Sequence, residues 1–284
     1  MPACYTHYKF GETVLMQLPA SPTKEILEKN KDLFLIGLHG PDILFYYKAL
    51  QKDDINQLGH RMHFIPARPF FEKALAQLPT ETDPDAALAY MCGFVCHLAL
   101  DFSCHSCVEY YLRGTNLSHT EVETYLDRSY LLEDQRDPLT WNISNHVQVN
   151  EHTAEVIASL FHGLDEVSVS TKQMLRTLKE MKWYNQIFLP TSPLKEKIVR
   201  LGMKLVDKYE HLHGLIMKRD CDEATQAMVD HLRRHVQDAV PVTIQMIEHF
   251  ISCHETGQSL DERFDNHYSF TEEKIAECAK EIET

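Results

Sequence analysis

The chain has 284 residues, of which 44% are hydrophobic and 25% are charged, the composition of an ordinary soluble globular protein. The formal net charge of −14 argues against a broad electrostatic grip on a nucleic-acid backbone or on anionic lipid. No run of about 18 uncharged apolar residues occurs, so we expect no membrane-spanning segment.

The first residues, MPACYTHYKF, do not combine a basic stretch with an apolar run, so we expect no secretory signal and a cytoplasmic location. Four of the eight cysteines lie in one apolar stretch, Cys92, Cys96, Cys104 and Cys107. A chain of this length does not need a disulfide framework, and we expect its thiols to be reduced.

The chain begins with a lead, residues 1–20, that carries His7. Ser-Pro at 21–22 predicts the start of a helix, and Gly-Pro at 40–41 predicts its end. After a further apolar segment, a helix is predicted to restart near Pro69.

The longest predicted helix covers about residues 84–113, with Asp83 as its cap and Gly114 as its break. Ser118, followed three residues later by Glu121, is typical of a capping box at the start of the next helix.

Helical periodicity resumes at Val147, after a stretch over 131–146 that we expect to be a loop. Further helices are predicted over about 147–167, 170–184, 192–218, 222–254 and 271–283. No stretch alternates convincingly with a period of two, which predicts an all-α, multi-helix bundle.

Polar residues follow one stripe of the long helix. His97, Asp101 and His105 are spaced four apart, and each step of four drifts only about 40° around a helix. Their neighbours make the helix apolar nearly all round, and a buried carboxylate with two imidazoles must be paired or ligated. His119 and Glu123 repeat the same spacing on the next helix.

These residue types are ligands that zinc accepts. His105, His119 and Glu123 could hold one ion across two helices, while His97 and Asp101 could hold another with help from elsewhere. The carboxylate of Asp101 has two oxygens and can bridge two ions. Clustered metal ions activate water and clamp phosphate oxygens.

The pattern resembles the zinc-dependent phospholipase C family, which is related to the single-strand-specific zinc nucleases. Its core motif is matched by His97-x3-Asp101, His105, a gap of thirteen residues, and His119-x3-Glu123. The family also uses an early His, an upstream Asp and an intervening His, and this chain has His7, Asp42 in HGPD, and His63 or His60 in that order.

The resemblance implies an all-α fold and two or three zinc ions. A first ion would be held by Asp42, His63, His97 and Asp101, a second by His105, His119 and Glu123, and a third by His7 and Asp101. In the family an amino-terminal Trp also binds the third ion, and Pro2 is the candidate for that place here. We expect one domain over residues 1–284, in which 1–130 form the metal-binding half and 147–284 add helices that complete the bundle.

The implied activity is phosphoester hydrolysis, with Asp42 as the base and a phospholipid as one candidate substrate. The chain resembles intracellular bacterial members of the family more than the secreted toxins. A nuclease or nucleotidase using the same metals is the first alternative, although the acidic charge disfavours nucleic acid. A metal site in a protein that binds without cleaving is the second.

Several single residues keep simpler interpretations. Asp42 could cap the following helix, and His60 competes with His63 for one role. Cys104 and Cys107 form a C-x2-C, which inside one helix favours a packed thiol pair over a redox or zinc site. The histidines from His146 onward are expected to be surface or structural residues, and the C-terminal half shows no chemistry of its own.

Overall fold

A computed structural model describes residues 4–283, and within that range the chain forms helices and no β-strand, as predicted. The α-helices are α1 (Cys4–Gln17), α2 (Pro22–Lys29), α3 (Lys31–Gly37), α4 (Asp54–Met62), α5 (Arg68–Gln77), α6 (Pro84–Gly114), α7 (His119–Glu133), α8 (Glu151–Phe161), α9 (Thr171–Phe188), α10 (Pro193–Leu205), α11 (Tyr209–Leu212), α12 (Glu223–Thr256) and α13 (Glu272–Glu283). Shorter 3₁₀ helices are Gly40–Tyr46, Leu78–Thr80, His213–Leu215 and Glu262–Asp265.

The capping signals predicted the long central helix well. The carboxylate of Asp83 accepts from the backbone N–H of Ala86, and α6 runs to Gly114. At the start of α7, Ser118 and Glu121 form the expected reciprocal capping box.

Other boundaries differ from the prediction. The helix expected between residues 21 and 40 is two helices, because the side-chain amide of Asn30 donates to the carbonyl of Ile26 and ends α2 there. The helix α4, which begins with a capping box of Asp53 and Asn56, was not predicted from the sequence. The single helix expected over 192–218 ends at Leu205, and the shorter α11 follows it.

The centre of the fold is α6, against which α2, α3, α12 and α13 pack. It passes a length and composition test for a membrane span, but 89% of its most apolar window is buried inside the protein, as for the core helix of a globular domain. Gly37 of α3 and Gly93 of α6 allow a close crossing, because a Cβ at Gly93 would lie 2.1 Å from the carbonyl oxygen of Phe34.

This packing places the polar stripe of α6 opposite the N-terminal elements. The helix α1 packs on both α6 and α7, and the Gly40–Tyr46 turn packs on α4 and α6. The buried core reaches from Cys4 to Cys278. A single domain over the whole chain stays a prediction.

Candidate metal centre

The carboxylate of Asp101 lies at the centre of the polar stripe of α6. Its Oδ2 is 3.2 Å from Nε2 of His97 and 3.8 Å from Nδ1 of His105. Its Oδ1 is 3.2 Å from Nε2 of His7, which α1 brings in from the start of the chain. The two oxygens therefore face different imidazoles, which is the arrangement that a bridging carboxylate needs. The proposed ligand role of Pro2 lies outside the described residues.

Asp42 reaches the same place from the Gly40–Tyr46 turn. Its Oδ1 is 2.9 Å from Nε2 of His63, and its Oδ2 is 3.7 Å from Nε2 of His97. Gly40 has a φ of 46°, and a Cβ there would lie 2.2 Å from the ring of His97. Only glycine fits both the left-handed backbone and the close approach to the ring.

The structure distinguishes His63 from His60, the two candidates for the same ligand position. His63 follows the last residue of α4 and points at Asp42, whereas His60 is exposed and its ring lies tilted against that of Phe45, with the centroids 4.4 Å apart. A first group is thereby formed, in which one ligand atom of each residue lies within 4.8 Å of the others: Asp42, His63, His97 and Asp101.

A second group lies where α6 meets the start of α7. Nε2 of His119 is 2.9 Å from Oε1 of Glu123, and Nε2 of His105 is 3.7 Å from the same oxygen. The capping box at Ser118 starts α7 one residue before His119 and so directs this pair toward α6. All eight residues that the sequence predicted as candidates are therefore brought together in these two groups or, for His7, beside Asp101.

Three of the imidazoles are held in one tautomer by backbone carbonyls. Nδ1 of His97 is 3.1 Å from the carbonyl oxygen of Leu38, Nδ1 of His63 is 2.7 Å from that of Gly59, and Nδ1 of His105 contacts that of Tyr268. A carbonyl can only accept, so each Nδ1 carries a proton, and in the neutral ring each Nε2 keeps a lone pair. Histidine ligands of metals are commonly oriented in this way.

Several buried atoms of the centre have no hydrogen-bond partner in the described part of the chain: Nε2 of His97, Oδ2 of Asp101, Oε2 of Glu123 and Nδ1 of His7. Leaving such atoms unpaired is costly. The two groups together also contain three buried carboxylates, those of Asp42, Asp101 and Glu123. Divalent cations would satisfy both the lone pairs and the charge, so the donor set fits zinc.

The titration behaviour reflects the same crowding. Burial acts to raise the pKa of Asp42, but His97 and His63 outweigh it and hold that pKa below its usual value. Burial acts to lower the pKa of His105, but Asp101 and Glu123 outweigh it and raise that pKa to about 9. In the metal-free protein, protons therefore take the place that cations would fill.

All residues of the two groups except the fully buried His97 line a cleft of about 570 Å³. Its walls include aromatic and aliphatic side chains, namely Phe45, Tyr46, Leu50, Phe64, Tyr184, Phe188, Leu212 and Phe270. Phe64 is 73% exposed, so the apolar wall continues to the protein surface. Lys208 and His211 add basic side chains to the lining of the cleft.

The structure also contains two further groups of Cys and His residues, which were not predicted from the sequence. Cys107 lies with His231, His235 and Cys278. The expectation that the C-terminal half has no chemistry of its own stays a prediction. The signal of the Cys107 group in the sequence is His231-x3-His235, the same spacing as in the main motif.

The other group is Cys4, His39 and His146. The two Nε2 atoms of His39 and His146 are 2.7 Å apart, and burial lowers the pKa of His146 to about 3 and holds that of His39 well below its usual value. Both rings are neutral, and one donates to the other, so a hydrogen bond accounts for this pair.

The sequence profile of the family described as zinc-dependent phospholipase C matches residues 6–179. The match covers more than half of the chain and includes all eight candidate residues, so the chain belongs to the zinc-dependent phospholipase C family. No curated protein and no solved structure matches the chain.

Proposed function

We propose that this member of the zinc-dependent phospholipase C family hydrolyses a phosphodiester, and that its substrate is a phospholipid. One observation carries the proposal. Three imidazoles whose Nδ1 atoms are held by backbone carbonyls converge with three buried carboxylates beside an apolar cleft. Such a ligand set can hold metal and phosphate, and the walls of such a cleft can hold acyl chains.

The ligand roles follow the two groups and the bridging position. Asp42, His63, His97 and Asp101 would hold one zinc ion; His105, His119 and Glu123 a second; His7 with Asp101 a third. Three carboxylates contribute three negative charges, and two or three divalent cations exceed them. The loaded centre is therefore net positive and attracts a phosphate anion, even though the whole chain carries −14.

When bound, zinc would supply positive charge for the phosphate oxygens and would lower the pKa of a bound water molecule to near neutrality. Asp42 is placed to accept the proton of the attacking water, because its pKa stays low enough to keep it ionised. The carbonyl of Gly59 holds Nδ1 of His63, which leaves Nε2 beside Oδ1 of Asp42, so the two side chains would bind the same zinc ion. Phe45 and Phe64 add apolar surface to the cleft wall, against which acyl chains could pack.

The exposed face of α10 favours a lipid over a soluble phosphodiester. Leu194, Ile198, Leu201 and Leu205 recur at helical spacing, and each is more than half exposed. The opposite side of α10 packs through Met203 on Phe188, which lines the cleft. A helix with such an apolar stripe and exposed lysines is typical of segments that lie on a membrane surface.

Turnover assays with zinc-loaded protein test the proposal. We expect hydrolysis of phosphatidylcholine, and of a generic aryl phosphodiester more slowly, with Asp42→Asn reducing kcat by about 10²–10⁴-fold. His63→Gln should lose activity and metal together, whereas His60→Gln is the matched control and should retain its metal. Selective cleavage of dinucleotides would favour the nuclease alternative.

A protein that holds its full complement of metal and turns over none of these substrates would instead be a metal-binding protein without catalysis. That result would overturn the proposed function. A cytoplasmic location stays a prediction.

A further inference from the structure

A cluster of two thiols and two imidazoles lies apart from the cleft. Cys107 comes from α6, His231 and His235 from successive turns of α12, and Cys278 from α13. Cys107 is two residues from His105, which turns it by about 200° around α6, away from the cleft.

The ligand atoms of the four residues converge on one point. One ligand atom of each lies within 4.8 Å of the other three. Nε2 of His235 is 3.2 Å from Nε2 of His231 and 3.2 Å from Sγ of Cys107. Bonds of about 2.0–2.3 Å from a tetrahedral zinc put neighbouring ligand atoms about 3.3–3.8 Å apart, close to these separations.

We propose that Cys107, His231, His235 and Cys278 form a second, structural zinc site that joins α6, α12 and α13. Two thiolates and two neutral imidazoles are a complete tetrahedral set, with no position left for substrate. The site is independent of the proposed hydrolysis, because it uses none of the residues of the cleft.

The surroundings favour a metal over a hydrogen-bonded cluster. The hydroxyl of Tyr111 is 2.9 Å from Nδ1 of His231, so that hydroxyl can accept from Nδ1–H and orient Nε2 toward the cluster, where it lies 3.4 Å from Oε2 of Glu281. The carboxylate of Glu281 lies 3.0 Å from Nε2 of His235 and adds negative charge beside the site.

The site has a clear structural task. Outside this cluster, α13 is attached to α6 partly through an exposed ion pair of Glu272 with Arg113 and a Lys274 ammonium 3.7 Å from the ring centroid of Phe102. Exposed pairs of this kind contribute little. A zinc ion would hold α13 firmly, and with it the preceding segment, where Tyr268 lines the cleft and its carbonyl orients His105.

Cobalt spectroscopy of the full chain distinguishes this site from the cleft. Co(II)-loaded protein should show a thiolate-to-cobalt charge-transfer band, because the cleft ligands are nitrogen and oxygen alone. The band should lose at least half of its intensity in Cys278→Ser, which removes one of two thiolates, and should persist unchanged in Cys253→Ser, a buried cysteine of α12 that serves as the matched control.

Metal content gives the second measurement. Zinc-loaded Cys278→Ser should hold one equivalent less than wild type, while Asp101→Asn should keep the thiolate band and lose metal from the cleft. Absence of the band in wild type, full zinc content in Cys278→Ser, or a disulfide between Cys107 and Cys278 in mass spectrometry would each overturn the proposal. Cys107→Ser is a second variant and should likewise weaken the band and lose one equivalent of zinc. Should Cys107→Ser fail to fold, Cys278→Ser carries the test.

Discussion

Asp127 of α7 holds the first turn of α1 through Thr6. Its Oδ1 accepts from the backbone N–H of Thr6 at 2.7 Å and from the hydroxyl of the same residue at 2.8 Å. Its Oδ2 accepts from the backbone N–H of Tyr5. The N–H groups at the start of a helix have no partner within it, so a carboxylate from another helix caps α1 one residue before His7.

Removal of this cap should loosen the start of α1. Asp127→Ala leaves two buried N–H groups unpaired, and we expect the free energy of unfolding to fall by about 1–3 kcal/mol in a urea titration. Asp134→Ala is the control, because Asp134 also joins α7 to α1, through Tyr5 and Lys9, but is partly exposed. Its effect should stay below about 1 kcal/mol. Equal losses in the two variants would contradict the capping role.

The position of Asp101 between His7 and His97 predicts that the metal ions are lost together. Asp101→Asn keeps the shape of the side chain but removes the charge and one acceptor, so two or more equivalents of zinc should leave the cleft. Elemental analysis of the purified protein measures this. Glu109→Gln, on the same helix but paired with Arg113, should retain full content. Unchanged content in Asp101→Asn would exclude Asp101 as the bridge.

Metal affinity of the cleft should rise with pH. Zinc needs neutral imidazole, and the pKa of about 9 for His105 means that metal-free protein carries a proton there below pH 9. Binding must displace that proton, so affinity should increase by up to about tenfold per pH unit until pH 9 and then level off.

Competition with a chelator of known affinity at a series of pH values tests this dependence. In His105→Gln the dependence between pH 7 and 9 should flatten. An affinity independent of pH in the wild type over that interval would contradict the assignment of the raised pKa.

Helical periodicity and capping signals in the sequence predicted the part of the centre that lies on α6 and at the start of α7. His97, Asp101 and His105 share a face because they are four residues apart, and the capping box at Ser118 gave the position of His119. Neither rule says how distant segments fold back.

The positions of Asp42 and His7 beside α6 depend on tertiary packing, and periodicity alone could not have placed them. The choice between His63 and His60 depended on where α4 ends, and α4 itself was not predicted. The Cys107 group was missed for the same reason, since its members come from three helices far apart along the chain.

The crossing of α3 and α6 should tolerate no side chain at Gly93. A Cβ there would lie 2.1 Å from the carbonyl oxygen of Phe34, which is backbone and cannot turn away. Gly93→Ala should therefore lower the free energy of unfolding by about 1–3 kcal/mol or more. Gly114→Ala, at the open end of the same helix, meets no atom within 4 Å and should be neutral or slightly stabilising. Thermal unfolding of the two variants measures the contrast.

The apolar face of α10 should matter for lipid in a bilayer and not for lipid in solution. Ile198 is 60% and Leu205 is 79% exposed, so replacing both with serine should leave the fold and the cleft intact. Each side chain that enters a membrane interface contributes on the order of 1 kcal/mol, so the double variant should bind vesicles about 30-fold more weakly. Hydrolysis of vesicle phospholipid should fall accordingly, while hydrolysis of a monomeric short-chain phospholipid should not change. Met16→Ser removes an equally exposed apolar side chain from α1 and is the control. Equal loss on both substrates would place the defect in the cleft, and no loss on either would remove α10 from lipid recognition.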